Sequence, residues 1–163
     1  VVIYYEGFRH AKSTPLNCRE IPEYVSGHNL LAGKSVLITA AAGAGIGFAA
    51  AKRAVEEGAR ALIISDVHEG RLKQAQDTLT ALPGGCQVSS QLCNVTNEEQ
   101  VCALVDYAET QMSGVDVLIN NAGLGGSSRL TEMSDEDWSR VLDITLTGTM
   151  RLSRAMLRYM QAR

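Results

Sequence analysis

The stretch Val36-Leu37-Ile38-Thr39-Ala40-Ala41-Ala42-Gly43-Ala44-Gly45-Ile46-Gly47 decides the fold. Val36 to Thr39 is an apolar, partly β-branched run of the kind a buried parallel strand requires. Ile46 to Glu57 follows with Ala-rich packing positions and reads as a helix, with Gly58 as its stop. Gly43, Gly45 and Gly47 lie at the junction of the two. Glycines there let the backbone turn tightly and approach a pyrophosphate, whose charge meets the free N–H groups of a helix start. Ala/Gly-rich turns also arise for packing alone. The place between a first strand and a first helix is what points this one toward phosphate.

The same alternation continues downstream. Ala61 to Ser65 reads as a second strand, followed by a helix from Glu69 to Leu82 and the stop Pro83-Gly84-Gly85. A third strand, Gln87 to Cys93, ends at Asn94-Val95-Thr96 and leads into a helix from Asn97 to Met112. Val115 to Ile119 is a fourth apolar run. Past a Gly/Ser-rich loop, Ser134 offers an N-cap with Asp137 three residues on, and one long helix is predicted from Asp135 to Ala162. Four alternations predict an α/β fold, a doubly wound parallel sheet with right-handed crossovers. Residues 1–29, with Pro15, Pro22 and no sustained period, predict an extension on the surface of a 30–163 domain.

Composition agrees with that class. The chain has 163 residues, the size of one domain or of a piece of a larger one. Lys plus Arg is 15 against 18 Asp plus Glu, a net charge of -3, which speaks against a nucleic-acid partner. No apolar run approaches the roughly 18 residues of a membrane span. The apolar start Val1 to Tyr5 gives way at once to charge, so it does not read as a signal peptide, and the missing Met implies a trimmed or displaced N-terminus. Cys18, Cys86, Cys93 and Cys102 form no Cys-x-x-Cys pair and have no histidine at ligand spacing, so no metal site is expected. They read as reduced thiols of a cytoplasmic protein, with Cys93 and Cys102 facing the core.

Asp66 follows the second strand, 19 residues after Gly47. A carboxylate there accepts hydrogen bonds from the adenosine ribose hydroxyls and repels a 2′-phosphate. Position 44 is Ala, and Val67 and His68 follow the acid, so no cation offsets that repulsion and NAD is expected over NADP. Asp66 also stands where it can cap the helix beginning near Glu69, a role compatible with the first.

Asp116-Val117-Leu118-Ile119-Asn120-Asn121-Ala122-Gly123 resembles the Asn-Asn-Ala-Gly signature of classical short-chain dehydrogenases/reductases. Leu31-Ala32-Gly33-Lys34, Asp137-Trp138 and Val141-Leu142-Asp143-Ile144 resemble the same family, so the likeness runs from Leu30 to Arg163. It implies a Rossmann-type fold and an oxidoreductase that passes hydride between a nicotinamide cofactor and a secondary alcohol or ketone. By the resemblance, Gly43, Ala44, Gly45, Ile46 and Gly47 hold the pyrophosphate, Asp66 the ribose, and Asn94 and Val95 the adenine. Asn121, Ala122 and Gly123 line the adenosine–nicotinamide channel, although two asparagines before a glycine also suit a plain turn. The loop and its flanks are similar to actinobacterial members linked to steroid-ring or acyl-CoA catabolism. The family also implies a homo-oligomer formed through the long helix 135–162.

Four departures from the family pattern stand out. Ala40 or Ala41 occupies the place of the first glycine in a loop one residue longer than usual; with φ negative there, the expected outcome is a reshaped loop that still binds. Asn94 replaces a common Asp. Thr145 replaces the Asn that holds a proton-relay water, with one donor and a shorter reach. The family's Ser and Tyr-x-x-x-Lys have no counterpart: 40 residues follow Gly123 and the loop and helix consume them, so no catalytic residue is expected in this chain and the active site is expected beyond it. Tyr159 and Arg163 mimic the spacing, but Arg has a far higher pKa than Lys, and the pair falls inside a helix. Arg151, Arg154, Arg158 and Arg163 read as the solvated stripe of that helix, opposite Leu152, Met156 and Leu157. Two other functions compete with an oxidoreductase: a non-catalytic dinucleotide-binding module, and an inactive fragment that binds no cofactor by itself.

Overall fold

A computed structural model describes residues 23–125 and 128–162. Its layers follow from three adjacent residues. Val36, Leu37 and Ile38 lie in β1 (Ser35–Thr39), buried along its whole length. Successive strand side chains point to opposite faces, so Val36 and Ile38 enter one apolar cluster and Leu37 another. A strand apolar on both faces must be central and covered twice. It is: β2 (Ala61–Asp66), β3 (Gln87–Leu92) and β4 (Val117–Ile119) join it in a parallel sheet of order β3-β2-β1-β4. Ile38 lies in register with Ile64 on one side and Ile119 on the other.

Helices α1 (Ile46–Glu56) and α2 (Glu69–Thr80) cover the Val36 face with Ala51, Val55, Leu72 and Leu79. Helix α3 (Glu98–Met112) covers the Leu37 face with Val101 and Leu104. The segment after β4 forms α4 (Asp135–Leu142) and α5 (Gly148–Met160), and α5 adds Leu152 and Met156 to that second core. The expected doubly wound architecture is the one observed.

Two expectations for the last segment are corrected. The helix over 135–162 is unbroken but not uniform: a π-helical turn, Asp143–Thr147, lies between α4 and α5, and helix ends at Met160. The extra residue of a π turn rotates the face that follows it. Leu152 and Met156 thereby meet α3, while Thr145 meets the strand ends and takes the Leu124 N–H on its Oγ1 at 3.1 Å. Gly148 comes so close to the neighbouring wall that a Cβ would stand 2.7 Å from Val95 Cγ2. The arginine stripe is corrected in part: Arg154 and Arg158 are exposed as expected, and Arg151 is not. Arg151 is largely buried and pairs with Asp143 and Glu98, Arg154 pairs with Glu98, and Leu157 is half exposed. Residues 1–22, with Pro15, Cys18 and Pro22, lie outside the described residues, as does Arg163.

Candidate cofactor site

The chain places β1, β2 and β3 successively in one direction and then β4 on the far side of β1. Loops leaving β1 and β4 diverge at that reversal, and in such sheets ligands bind there, at the carboxyl ends of the strands. A crevice of about 290 Å³ is found at this point, and Asp66, Asn94, Val95, Ala122 and Gly123 line it. Cys93, read from the sequence as a core residue, and Ile144 line it too. Burial pushes the Cys93 thiol up to about 11, so it stands there as a neutral, unreactive group.

The glycine loop lies beside the crevice. Gly43, Ala44, Gly45 and Ile46 are exposed, and α1 starts at Gly45 with no side-chain cap on its free N–H groups. Gly47 is buried where a Cβ would strike the Asn121 amide and the Ala40 carbonyl, so only glycine admits the helix this close. Gly43 and Ala44 line a second cavity of about 510 Å³ with Phe48 and Arg71. Ala40 departs from the expected negative φ: it is left-handed at φ 51°. Two tethers hold the loop in this shape. Ala41 N–H donates to the Ser65 carbonyl at 3.1 Å, and Ala42 N–H to Asp66 Oδ2 at 3.2 Å.

Asp66 also accepts the N–H groups of Val67 at 2.8 Å and His68 at 3.1 Å on Oδ1. It therefore closes the turn after β2 rather than capping α2, whose N-cap is His68 without a side-chain bond. Three backbone donors fix a carboxylate that has about four acceptor positions, which leaves room for one further donor. Asn94 spends its Oδ1 on Thr96 N and Oγ1, at 3.0 and 2.9 Å, leaving the Nδ2 half of the amide for a ligand.

Asn121 ties the end of β4 to the end of β1. Its N–H and that of Ala122 both donate to Thr39 Oγ1, at 3.0 and 3.1 Å, and its Nδ2 donates to the carbonyls of Thr39 and Ala40. Thr39, buried at the end of β1, is thus a site-building residue that a polar end to an apolar run could have signalled. Thr145 Oγ1 holds the Leu124 N–H, so its acceptor side is occupied by the loop after Gly123. Tyr159 donates to Asp106 Oδ1 at 2.6 Å, and that carboxylate raises the phenol's pKa, the reverse of what proton exchange requires. Among the described residues no cluster of His, Cys, Asp or Glu is placed to hold a metal, and no helix is long and apolar enough to cross a membrane.

A parallel doubly wound sheet with a glycine loop at its reversal defines the class of nucleotide-binding α/β folds. The comparisons narrow it. The family model for short chain dehydrogenases matches residues 34–163, and the chain belongs to that family. It is 49% identical over 144 residues to (5R,7aS)-5-hydroxy-7a-methyl-1-oxo-2,3,5,6,7,7a-hexahydro-1H-indene-carboxyl-CoA reductase of Mycobacterium tuberculosis, covering 88% of this chain and 54% of that protein. Among solved structures, a short chain dehydrogenase from Mycobacterium smegmatis matches with a TM-score of 0.84 and 49% identity, covering 88% of this chain and 59% of that one. NAD+-bound xylitol dehydrogenase matches at 0.75 and 34%, covering 82% and 50%. L-sorbose reductase from Gluconobacter frateurii, complexed with NADPH and L-sorbose, matches at 0.74 and 31%, covering 82% and 49%. The chain spans about half the length of the curated relatives it matches. The family's members are oxidoreductases that bind nicotinamide cofactors, and complexes with both NAD+ and NADPH occur among the structural neighbours.

Proposed function

We propose that this chain is the cofactor-binding part of an NAD-dependent oxidoreductase that moves hydride between nicotinamide and a secondary alcohol or ketone. One observation carries it: the exposed glycine loop, with the uncapped start of α1, lies beside a crevice whose acid, Asp66, is fixed by three backbone donors. The cradle suits a dinucleotide. Free N–H groups of α1 meet its pyrophosphate, Asp66 takes a ribose hydroxyl, and the Asn94 amide meets the adenine. When bound, the nicotinamide supplies the hydride acceptor or donor. The residues of this chain bind and orient it.

Asp66 favours NAD, because a 2′-phosphate would enter beside a fixed carboxylate. Identity of 49% with the indene-carboxyl-CoA reductase supports a fused-ring keto or hydroxy acyl-CoA as the substrate class. Trp138, Leu146 and Leu157 are exposed apolar side chains of α4, the π turn and α5, and support self-association through this segment. The free thiols Cys86, Cys93 and Cys102 support a reducing, cytoplasmic setting.

The test is equilibrium binding of NAD and NADP, followed by Trp138 fluorescence and checked by calorimetry. Tighter binding of NAD, with the preference reduced in Asp66→Ala, is the expected result. No binding of either dinucleotide would overturn the cofactor assignment. An unchanged preference in Asp66→Ala would overturn the role of that carboxylate alone.

A further inference from the structure

Arg151 belongs to neither the glycine loop nor the Asn-Asn-Ala-Gly segment, and no residue of the expected cofactor set touches it through its own side chain. Its side chain is only 19% exposed, unusual for a residue read from the sequence as a solvated helix position. Burying a guanidinium this far is tolerated when its donors are met by fixed partners. Three are present. Nη1 pairs with Asp143 Oδ1 at 2.8 Å and approaches the Val95 carbonyl at 3.4 Å, while Nε faces Glu98 Oε2 at 3.7 Å.

These partners belong to the two opposing walls of the crevice. Val95 is a lining residue on the segment after β3, and Glu98, three residues further on, opens α3. Asp143 opens the π turn, whose next residues are Ile144, also a lining residue, and Thr145, which holds Leu124 through its N–H. Between the walls there is no slack, since Gly148 already abuts Val95. A planar fork that engages both sides at once fixes their separation in a way that a point charge cannot.

We propose that Arg151 is a positioning residue of the crevice, setting the separation between the Val95 wall and the Ile144 wall and hence the fit of the adenosine half of the dinucleotide. This rests on the cofactor reading given above. Arg154 provides the internal control, because it pairs with the same Glu98 at 2.8 Å without engaging Val95 or Asp143. Loss of the Arg154 pair disturbs the α3–α5 packing alone.

The experiment compares Arg151→Met, Arg151→Lys, Asp143→Asn and Arg154→Met in the 163-residue chain, measuring thermal midpoints and the Kd for NAD and for ADP-ribose well below those midpoints. Arg151→Met is expected to weaken both ligands about tenfold, the scale of a lost hydrogen bond between charged groups. Arg151→Lys, which keeps the charge and one partner at a time, is expected to fall between it and the parent. Asp143→Asn combined with Arg151→Met is expected to lose less than the two separate losses together, as coupled partners do. Arg154→Met is expected to lower the midpoint and leave Kd within about twofold of the parent. Equal Kd values for the parent and a folded Arg151→Met or Arg151→Lys chain would overturn the proposal. So would a loss in Arg154→Met as large as that in Arg151→Met. A parent chain that binds neither ligand would overturn the cofactor reading as well, and is distinguished by requiring no variant.

Discussion

The side-chain amide of Asn121, at the end of β4, donates to the carbonyl of Ala40, at the end of β1, across 2.9 Å. The two residues are 81 positions apart, yet this bond and the Thr39 carbonyl bond beside it hold the first residue of the glycine loop. Ala40 pays for the arrangement with a left-handed backbone, φ 51°. A Cβ in that region costs roughly 1–2 kcal/mol.

Ala40→Gly is therefore expected to stabilise the chain. Relief of the left-handed strain exceeds the roughly 0.5–1 kcal/mol that glycine adds in unfolded-state entropy, leaving a gain of up to about 1 kcal/mol. Urea unfolding at constant m-value measures it. A lower midpoint than the parent's would mean that the surrounding bonds do not impose the conformation.

Asn121→Leu is expected to cost about 2 kcal/mol, because the carbonyls of Thr39 and Ala40 both lose their donor at a site partly shielded from water. The same change frees the start of the loop, so dinucleotide affinity should fall as well. Paired denaturation and binding titrations separate the two effects. A full loss of stability with unaltered Kd would restrict Asn121 to holding the sheet together.

The layers of this fold were legible because Val36, Leu37 and Ile38 are apolar without interruption, and an uninterrupted run can only be a strand covered on both faces. The glycine loop was legible for a similar local reason: Gly43, Gly45 and Gly47 fall between two such elements. What could not be read depended on partners far along the chain. Any of Ala40, Ala41 and Ala42 could have taken the left-handed position, and Asn121 selects the first of them. The sequence Asp143-Ile-Thr-Leu-Thr147 has the periodicity of an ordinary helix, and its π turn answers to Val95 and Leu124 across the crevice. Arg151 looked solvated because its partner Glu98 is contributed by another helix, far along the chain.

Ser65 offers a change that should cost nothing. It is 1% exposed at the end of β2, and its Oγ has no hydrogen-bond partner among the described residues. A buried hydroxyl without a partner carries its desolvation penalty uncompensated. Ser65→Ala is expected to be neutral or to stabilise by up to about 1 kcal/mol, while the Ser65 carbonyl keeps its bond from Ala41. A measured loss beyond about 1 kcal/mol would reveal an ordered water on that hydroxyl.

Glu57 makes the acid limb of stability predictable. Its carboxylate, at the end of α1, accepts the N–H groups of Leu30 at 3.1 Å and His28 at 2.7 Å and pairs with Arg53, tying the segment before β1 to the helix. These bonds, the two backbone donors foremost, hold its pKa below the ordinary carboxylate value. A carboxyl whose folded pKa is depressed binds its proton more readily when unfolded. Its contribution is therefore fully present above the unfolded pKa and is lost as pH falls through the folded one. Glu57→Gln keeps the shape, removes the charge and leaves Arg53 without its ionic partner. The variant should melt below the parent at neutral pH, and the gap should close as the pH is lowered through the acid range. Thermal midpoints of both chains from roughly pH 7 down to pH 3 follow that gap; a gap independent of pH would assign the effect of the substitution to packing and not to the charge.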